Sequence, residues 1–360
     1  MQGMRKSGQG VQAGPGSVLA SVQYLRAIAA WLVVFFHLTA SMANATGIPA
    51  VFTVGAIGVD IFFVLSGFLM AMIVDRSHET GMTFLMRRFI RIAPLYYVMT
   101  FAVFAVALMA PWLLNSVRAD VQHLVMSLAF LPHDDGTGGN QPILSLGWTL
   151  NYEMFFYVLV VIFAGLFRDR SLVSLAAFLV VLAFGGTLIH EPGTAVRFYT
   201  DPIILEFGFG IMLYRIVFRE RQAQASEGIW WIALAASVML IAASHDITQD
   251  KWRFLSWGIP ATLLVAGGIH SFTRQVEWLK RLGDWSYSTY LVHIYLIQFA
   301  VKLVLPHAPS WAAHPFAAAL ILFPLIALAS WFIHTRFELP VMAWGNARLK
   351  GWQRGAAARA

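Results

Sequence analysis

An arginine and a histidine stand eleven positions apart in the first apolar stretch of the chain, "YLRAIAAWLVVFFHLTA". An α-helix turns about 100° per residue, so Arg26 and His37 lie on one face, about 16 Å apart along the axis. An imidazole titrates near neutral pH, so this pattern indicates a general base in a polar membrane cavity, with a cation near the inner surface. The structural alternatives are a guanidinium that reaches the lipid headgroups and an imidazole in an interhelical hydrogen bond.

Three carboxylates lie near the outer ends of later apolar segments: Asp60, Glu153 and Glu206. Carboxylates inside a membrane are either functional or paired with a buried donor. We interpret Glu153 as a second catalytic residue, which orients or charge-stabilises His37 as an acid does in a histidine relay. For Asp60 the pattern favours a structural partner for a buried donor or a helix end, with a contact to the acceptor substrate as the functional alternative.

Aromatic side chains are frequent at the outer ends of the apolar segments. Trp148 and Tyr152 both precede Glu153 in the sequence, and their rings could stack on a sugar. They are therefore assigned, with Asp60, to the acceptor substrate. The alternative for such tryptophans is anchoring at the membrane interface.

A basic amphipathic stretch, "FLMRRFIRIAPLYY" (84–97), leads into the third apolar segment. Arg88 and Arg91 are three residues apart and therefore share a helix face. Guanidinium groups pair bidentately with phosphate, so these two residues could clamp the phosphates of a nucleotide-like cofactor. The alternative is binding of anionic lipid.

A run of hydroxyl groups and one imidazole opens a later apolar segment, "LGDWSYSTYLVHIYL" (282–296). Tyr287 and Ser288 are assigned to cofactor binding, whereas interhelical hydrogen bonding is the simpler role for the whole run, including Tyr290 and His293. The sequence contains no nucleophile elbow, phosphate-binding loop or zinc-helix motif. Gly67, in "VLSGFL", is interpreted as a point of close helix packing.

The composition determines what kind of fold must hold these residues. Of the 360 residues 59% are hydrophobic and 12% are charged, and the mean hydropathy is +0.68. Apolar runs near 20 residues recur along the chain, which predicts an all-α integral membrane protein rather than a barrel of short alternating strands.

The absence of cysteine excludes disulfides, thiolate metal sites and thiol catalysis. No metal site is expected, and the net charge of +7 indicates membrane topology rather than nucleic-acid binding.

About ten transmembrane helices are predicted, near 22–42, 54–74, 94–114, 148–168, 171–189, 202–218, 229–245, 257–272, 287–305 and 316–336. If the short apolar piece 123–131 does not span, roughly 20 of the Lys and Arg residues fall on one side, which places both termini in the cytoplasm. The predicted organisation is a disordered cytoplasmic tail (1–20), a membrane domain (21–340) and a cytoplasmic C-terminal tail (341–360). Residues 115–147 form the largest external loop, folded back onto the membrane.

The motifs described above, taken together, resemble those of the acyltransferase 3 family of integral membrane acyltransferases. The matching pieces occur in family order and are Arg26-x10-His37, "GVDIFFVLSGFL" (58–69), "RRFIRIAPLYY" (87–97), "WTLNYEMFFY" (148–157) and "LGDWSYSTYLVH" (282–293). The opening "SVQYLRAIAAWLVVFFH" (21–37) is most similar to the exopolysaccharide O-acetyltransferase branch.

The resemblance implies transfer of an acyl group, usually acetyl, from cytoplasmic acetyl-CoA to a hydroxyl of an exopolysaccharide or its lipid-linked precursor at a bacterial inner membrane. It makes His37 the expected catalytic residue and matches Glu153 to the glutamate of a family motif. The arginines of the family motifs carry over to Arg26, Arg88 and Arg91. The expected partners are acyl-CoA, the glycan, the lipid bilayer and a polysaccharide synthesis complex.

Three alternatives remain open from the sequence. A transporter or flippase would also explain apolar helices with charged groups inside the membrane. A succinyl rather than acetyl donor would keep the enzyme class, and a non-catalytic scaffold is the least favoured. The mechanism is equally open between direct attack of the sugar hydroxyl on the thioester and a ping-pong route through an acylated His37.

Overall fold

The computed structural model describes residues 15–47, 49–76, 79–114, 117, 119–134, 140–167, 170–219, 225–244, 252–272, 274–309, 311 and 314–357, and the regular structure in these ranges is helical throughout. The α-helices are α1 (Pro15–Thr46), α2 (Ile57–Arg76), α3 (Gly81–Met109), α4 (Val121–Leu128), α5 (Trp148–Phe167), α6 (Ser171–Gly186), α7 (Thr194–Tyr199), α8 (Leu205–Leu213), α9 (Ala225–Ser244), α10 (Ile259–Ser271), α11 (Glu277–Asp284), α12 (Ser286–Phe299), α13 (Pro315–Ile333) and α14 (Leu339–Ala357). Four π-helical segments extend or join them: Tyr214–Arg219, Phe254–Gly258, Ala300–Val304 and His334–Glu338.

Seven helical segments of the described chain are long and apolar enough to cross a membrane. They are Val18–Thr46, Thr53–Arg76, Gly81–Met109, Ser145–Phe167, Phe254–Ser271, Ser286–His307 and Pro315–Arg354, and each contains most or all of one predicted span. The other three predicted spans correspond to α6, to α8 with its π-helical extension, and to α9. In α6 and α9 the apolar stretches, Ser171–Gly186 and Gly228–Ala243, are shorter than those of the seven segments above. Sixteen residues of α-helix reach about 24 Å, less than the hydrocarbon thickness of about 30 Å. The count of ten spans and the cytoplasmic termini remain predictions.

Both predicted tails contain helix. The expectation of disorder for residues 1–20 is wrong for 15–20, because α1 begins at Pro15 and Val18 packs in the apolar core; residues 1–14 lie outside the described residues. Proline is well suited to the first turn of a helix, where its missing N–H is not needed. In the C-terminal segment, α14 packs against α3, and Gln353 Nε2 donates a 2.6 Å hydrogen bond to Thr83 Oγ1.

The predicted external loop folds back onto α3. Within it α4 has only eight residues, which is about 12 Å of helix and too short to cross a membrane. The hydroxyl of Tyr96 donates to the carbonyl oxygen of Ser127 at 3.0 Å, and that of Tyr97 donates to the carbonyl oxygen of Leu128 at 2.8 Å. These bonds hold α4 against the middle of α3, and α5 begins at Trp148, shortly after this segment returns to the bundle.

Close approach of α2 and α8 depends on two glycines. A Cβ atom at Gly67 would lie 2.1 Å from the carbonyl oxygen of Phe207, and one at Gly210 would lie 2.1 Å from that of Val64. Both distances are far inside van der Waals contact with backbone, so only glycine fits. The predicted packing role of Gly67 is therefore confirmed. Helix α2 contacts α1 and α5 as well as α8, so it lies at the centre of the bundle.

Candidate active site

Five of the predicted site residues line one cavity between the helices, with about 740 Å³ of unoccupied space. They are Arg26 on α1, Arg88 and Arg91 on α3, Glu153 on α5 and Tyr287 on α12. Three helices that are distant in sequence therefore bring three guanidinium groups and one carboxylate together, and a fourth, α12, adds the tyrosine. The lining carries an excess of two positive charges, since three arginines face one glutamate.

The carboxylate of Glu153 is held by neighbouring hydroxyls. Its Oε1 accepts a 3.2 Å hydrogen bond from Ser66 Oγ and a second one from the hydroxyl of Tyr157, one helical turn further along α5. The guanidinium of Arg88 lies over the Tyr157 ring, 5.7 Å from its centroid. These contacts fix both charged groups in the same part of the cavity.

Two buried polar atoms of the lining have no hydrogen-bond partner within the described part of the chain: Nε of Arg88 and Oγ of Ser286. A buried donor without a partner costs about 1–3 kcal/mol, so such atoms are typical of a site that binds a polar ligand. Another part of the wall is apolar and includes Phe62, Leu65 and Leu69. The residues present therefore fit a ligand with phosphate groups at one end and an uncharged, flexible arm at the other.

A second basic cavity adjoins the first. It has about 650 Å³ of unoccupied space, and Arg88 lines both cavities. Its other charged residues are Arg76, Arg87 and Glu79, and Arg87 pairs with Glu79 at 2.7 Å. This arrangement extends the cationic surface from the polar chamber toward the junction of α2 and α3.

His37 lies on the same helix as Arg26, and the lining of the cavity that contains Arg26, Arg88 and Arg91 does not include it. The Nδ1 atom of His37 is 3.0 Å from Nε2 of His293 on α12, and Nδ1 of His293 is 3.0 Å from the carbonyl oxygen of Thr289. His293 is fully buried and His37 partly buried. Among the described residues the His37 imidazole thus contacts a second histidine and the backbone carbonyl of Val33, one turn earlier on α1. It makes no hydrogen bond to Glu153, the contact that the sequence suggested.

Tyr290 connects the cavity to this pair of histidines. Its side chain lines the cavity, its hydroxyl lies 3.0 Å from Thr149 Oγ1, and its ring centroid is 6.0 Å from that of His293. Tyr287, Tyr290 and His293 follow one another at three-residue steps and therefore lie along one side of α12. A single helix face thus leads from the arginine-lined cavity to His37.

Ser288 lies outside the cavity, contrary to its assignment as a cofactor contact. Its Oγ donates a 2.5 Å hydrogen bond to Oε1 of Glu338, whose Oε2 lies 2.7 Å from His334 Nδ1. Consecutive helical residues point about 100° apart, so when Tyr287 faces the cavity, Ser288 faces the junction of α13 and α14.

The three predicted acceptor contacts also have partners within the bundle, and none lines the cavity. Asp60 is fully buried and pairs with Arg253, the kind of donor that the structural interpretation of this carboxylate predicts, and its assignment to the acceptor substrate stays a prediction. The hydroxyl of Tyr152 donates to the carbonyl oxygen of Phe198 at 2.8 Å, and the two rings stack 3.9 Å apart. Trp148 meets the Tyr152 ring edge to face.

Two further carboxylates lie on the same side of α2 as Asp60. Burial raises the pKa of Asp201, which lies in the loop before α8, while a backbone hydrogen bond from Ile203 opposes the shift. No nitrogen or hydroxyl donor among the described residues meets the side-chain oxygens of the fully buried Glu206, whose carboxyl group instead neighbours that of Asp60. Neither residue lines the arginine cavity.

Comparison with known proteins matches residues 19–335 to the acyltransferase domain of the acyltransferase 3 type. The chain belongs to the acyltransferase 3 family. The match covers both histidines, the three cavity arginines and Glu153, so the acyltransferase 3 domain contains the whole of the site described above.

Similar curated proteins include other acyltransferases. The chain is 33% identical to the exopolysaccharide production protein ExoZ of Rhizobium meliloti (strain 1021), over 82% of this chain and 92% of that protein. It is 29% identical to the acyltransferase MdmB of Streptomyces mycarofaciens, over 90% and 92% of the two chains. It is 32% identical to the peptidoglycan O-acetyltransferase OatA of Listeria monocytogenes, over 79% of this chain and 50% of that protein. No solved structure is significantly similar to the chain.

The contact between His293 and His37 was missed in the sequence-based assignment. One signal for it is present in the sequence: His293 is an ionisable residue inside a membrane-spanning segment, and such residues are functional by default. The neighbouring Ser and Tyr residues, however, favour ordinary interhelical hydrogen bonding for the whole stretch.

Proposed function

We propose that the protein is a membrane O-acyltransferase that moves an acetyl group from cytoplasmic acetyl-CoA to a hydroxyl of an exopolysaccharide or of its lipid-linked precursor at a bacterial inner membrane. The observation that carries this proposal is the single cavity shared by Arg26, Arg88, Arg91 and Glu153, connected along α12 to His37. Membership of the acyltransferase 3 family supports the reaction class.

The cationic residues bind the donor. Guanidinium groups form paired, charge-assisted hydrogen bonds with phosphate oxygens, so Arg88 and Arg91 would hold the phosphates and Nε of Arg88 would find its missing partner. The second basic cavity, which shares Arg88, offers further cationic surface for the nucleotide end. The apolar wall beside Phe62 and Leu69 accommodates an uncharged arm that extends toward α12. The donor supplies the activated acyl group as a thioester.

His37 performs the proton transfers. Its imidazole accepts the proton of the acceptor hydroxyl as the hydroxyl oxygen forms a bond to the acyl carbon and the carbon–sulfur bond breaks. His37 then returns the proton to the departing thiolate sulfur, so that an ester and a free thiol are formed and no net proton is consumed. Transfer at His37 requires the thioester to pass Tyr290, the residue that stands between the cavity and the histidine pair.

The printed names of the relatives support a glycan acceptor. One is an exopolysaccharide production protein and another a peptidoglycan O-acetyltransferase. A bacterial surface polysaccharide presents many hydroxyls, and a neutral imidazole can accept the proton of a hydroxyl as it is acylated.

The test compares a deletion strain with strains complemented by wild type or by His37→Ala. We expect O-acetyl groups on the surface polysaccharide to be lost in the variant while the amount of exported polysaccharide is unchanged. Loss of export with acetylation intact on the remaining polymer would overturn the enzyme and favour a flippase. An acetylation level equal to wild type would remove His37 from the reaction. His190→Gln, an exposed histidine in the loop after α6, serves as the matched control.

A further inference from the structure

We propose that His293 is a positioning residue that fixes the ring tautomer of His37, so that Nε2 of His37 is the nitrogen that accepts the proton of the acceptor hydroxyl. The inference rests on the proposed acyl transfer and adds a second histidine to it. It follows from two contacts in series, from the backbone of α12 to the side chain of His37 on α1.

The first contact sets the tautomer of His293. A backbone carbonyl oxygen can only accept a hydrogen bond, so Nδ1 of His293, 3.0 Å from the oxygen of Thr289, carries the hydrogen. A neutral imidazole has one N–H group and one lone-pair nitrogen. The Nε2 atom of His293 is therefore an acceptor.

The second contact passes this constraint to His37. Because Nε2 of His293 accepts, Nδ1 of His37, 3.0 Å away, must donate. The backbone carbonyl of Val33 on α1 is a further acceptor beside the His37 ring, and His293 is the side chain that fixes which nitrogen donates across the two helices. In the neutral ring that leaves the lone pair on Nε2 of His37. The ring nitrogen farther from His293 is thus the base, and the contact also fixes the orientation of the ring.

Burial of His293 strengthens its hydrogen bond to His37, because water does not compete for it. His293 is fully buried, and its ring lies 5.1 Å from that of His37 with a tilt of 42°. The titratable groups that face His293 are His37 from α1 and Tyr290 from its own helix, and within the described chain no carboxylate contacts either imidazole. A neutral acceptor therefore takes the place that a carboxylate occupies in a serine-hydrolase triad. When Nε2 of His37 gains a proton, the Nδ1–H bond to His293 becomes charge-assisted and stabilises the cation.

The experiment uses the full-length enzyme in lipid nanodiscs with acetyl-CoA and the isolated polysaccharide. In His293→Phe we expect kcat to fall at least about tenfold, because the ring of His37 loses the acceptor that holds its tautomer. The KM for acetyl-CoA should stay within about twofold, since His293 does not line the donor cavity. The pH–rate profile of the variant should also move, because protonated His37 loses its neutral partner. His293→Gln, whose side-chain oxygen can accept from His37, should recover part of kcat, and Tyr295→Phe on the same helix is the control.

A second readout does not depend on turnover. Solid-state ¹⁵N NMR of histidine-labelled enzyme, with His37→Gln used for assignment, should show protonated Nδ1 and unprotonated Nε2 for His37 at neutral pH. A wild-type His37 protonated at Nε2 would overturn the proposal, as would a His293→Phe variant with unchanged kcat and unchanged His37 resonances. If the wild-type enzyme transfers no acetyl group from acetyl-CoA, the proposed function fails by itself, and the tautomer measurement shows separately whether His293 orients His37.

Discussion

Asp60 and Arg253 form a two-bond ion pair between α2 and the segment before α10. Nε of Arg253 lies 3.1 Å from Oδ1 of Asp60, and Nη2 lies 2.8 Å from Oδ2. The carboxylate is fully buried, while the arginine side chain is 26% exposed and lies over the ring of Trp257. This pair ties two regions of sequence nearly 200 residues apart.

Loss of one partner of this pair should destabilise the fold. Asp60→Asn removes the carboxylate that is hydrogen-bonded to the guanidinium, and the expected loss is about 3 kcal/mol, near the lower end for a buried pair because Arg253 is partly exposed and Glu206 and Asp201 lie nearby. Thermal unfolding in detergent would measure it. The exchanged pair Asp60→Arg with Arg253→Asp should be more stable than Asp60→Arg alone, and equal stabilities would show that the two residues do not interact.

Gly67→Ala should destabilise the contact between α2 and α8. The new methyl group would meet the carbonyl oxygen of Phe207, which as backbone cannot move aside cheaply, and a cost of about 1–3 kcal/mol is expected. Gly165→Ala on α5 is the matched control, because a Cβ there meets no atom within 4 Å. Thermal unfolding of both variants in the same detergent tests the difference. Equal melting temperatures would contradict the packing described for Gly67.

Arg88→Gln and Arg91→Gln should weaken donor binding. Each removes a cation from the cavity, so the KM for acetyl-CoA should rise about tenfold or more, in line with the 1.5–3 kcal/mol of a charge-assisted hydrogen bond. Arg281→Gln, which removes an exposed arginine paired with Glu277, should leave KM unchanged. If all three variants behave alike in a steady-state assay, the cavity is not the donor site.

Glu153→Gln tests whether the carboxylate takes part in the chemical step. The amide oxygen can still accept from Ser66 and Tyr157, so the local geometry is retained while the charge is lost. We expect kcat to fall at least about tenfold, as for other acid–base groups, without a rise in the KM for acetyl-CoA. A change in KM alone would instead make Glu153 a donor-binding residue.

Acyl labelling without acceptor separates the two mechanisms left open by the sequence. Direct transfer leaves the protein unlabelled after mixing with radiolabelled acetyl-CoA, whereas a ping-pong route acylates His37. We expect no stable label on wild type. A label on wild type that His37→Gln abolishes would establish the acyl-enzyme route.

The sequence predicted the helices well where they are long and continuously apolar. Seven of the predicted spans correspond to such segments, because length and hydropathy alone define a membrane helix. The regions of α6, α8 and α9 were harder, since their apolar helices are shorter and α8 continues into a π-helical segment. Helix α14 was described only as a basic tail because its apolar residues are few.

The sequence indicated which residues line the cavity, but it did not indicate which residues the assigned side chains contact. The cavity unites Arg26, Arg88, Arg91, Glu153 and Tyr287, all of which carried a chemical signal in the sequence. The sequence did not reveal the partners of two other assigned residues, because these depend on contacts between distant helices. Asp60 pairs with Arg253, and Ser288 donates to Glu338. Helical phase places a residue on a face of its own helix, but it does not reveal which neighbouring helix that face meets.

The position of Tyr290 also has a consequence for proton leakage through the helix bundle. An enzyme that passes an acyl group between two aqueous compartments would dissipate the proton-motive force if its interior formed an open pore. In the acyl transfer proposed above, such a path would have to continue past Tyr290, whose ring lies 6.0 Å from that of Phe62 and whose hydroxyl lies 3.0 Å from Thr149 Oγ1. Replacing it by alanine should therefore make liposomes that contain the protein leaky to protons, a defect distinct from any change in catalysis.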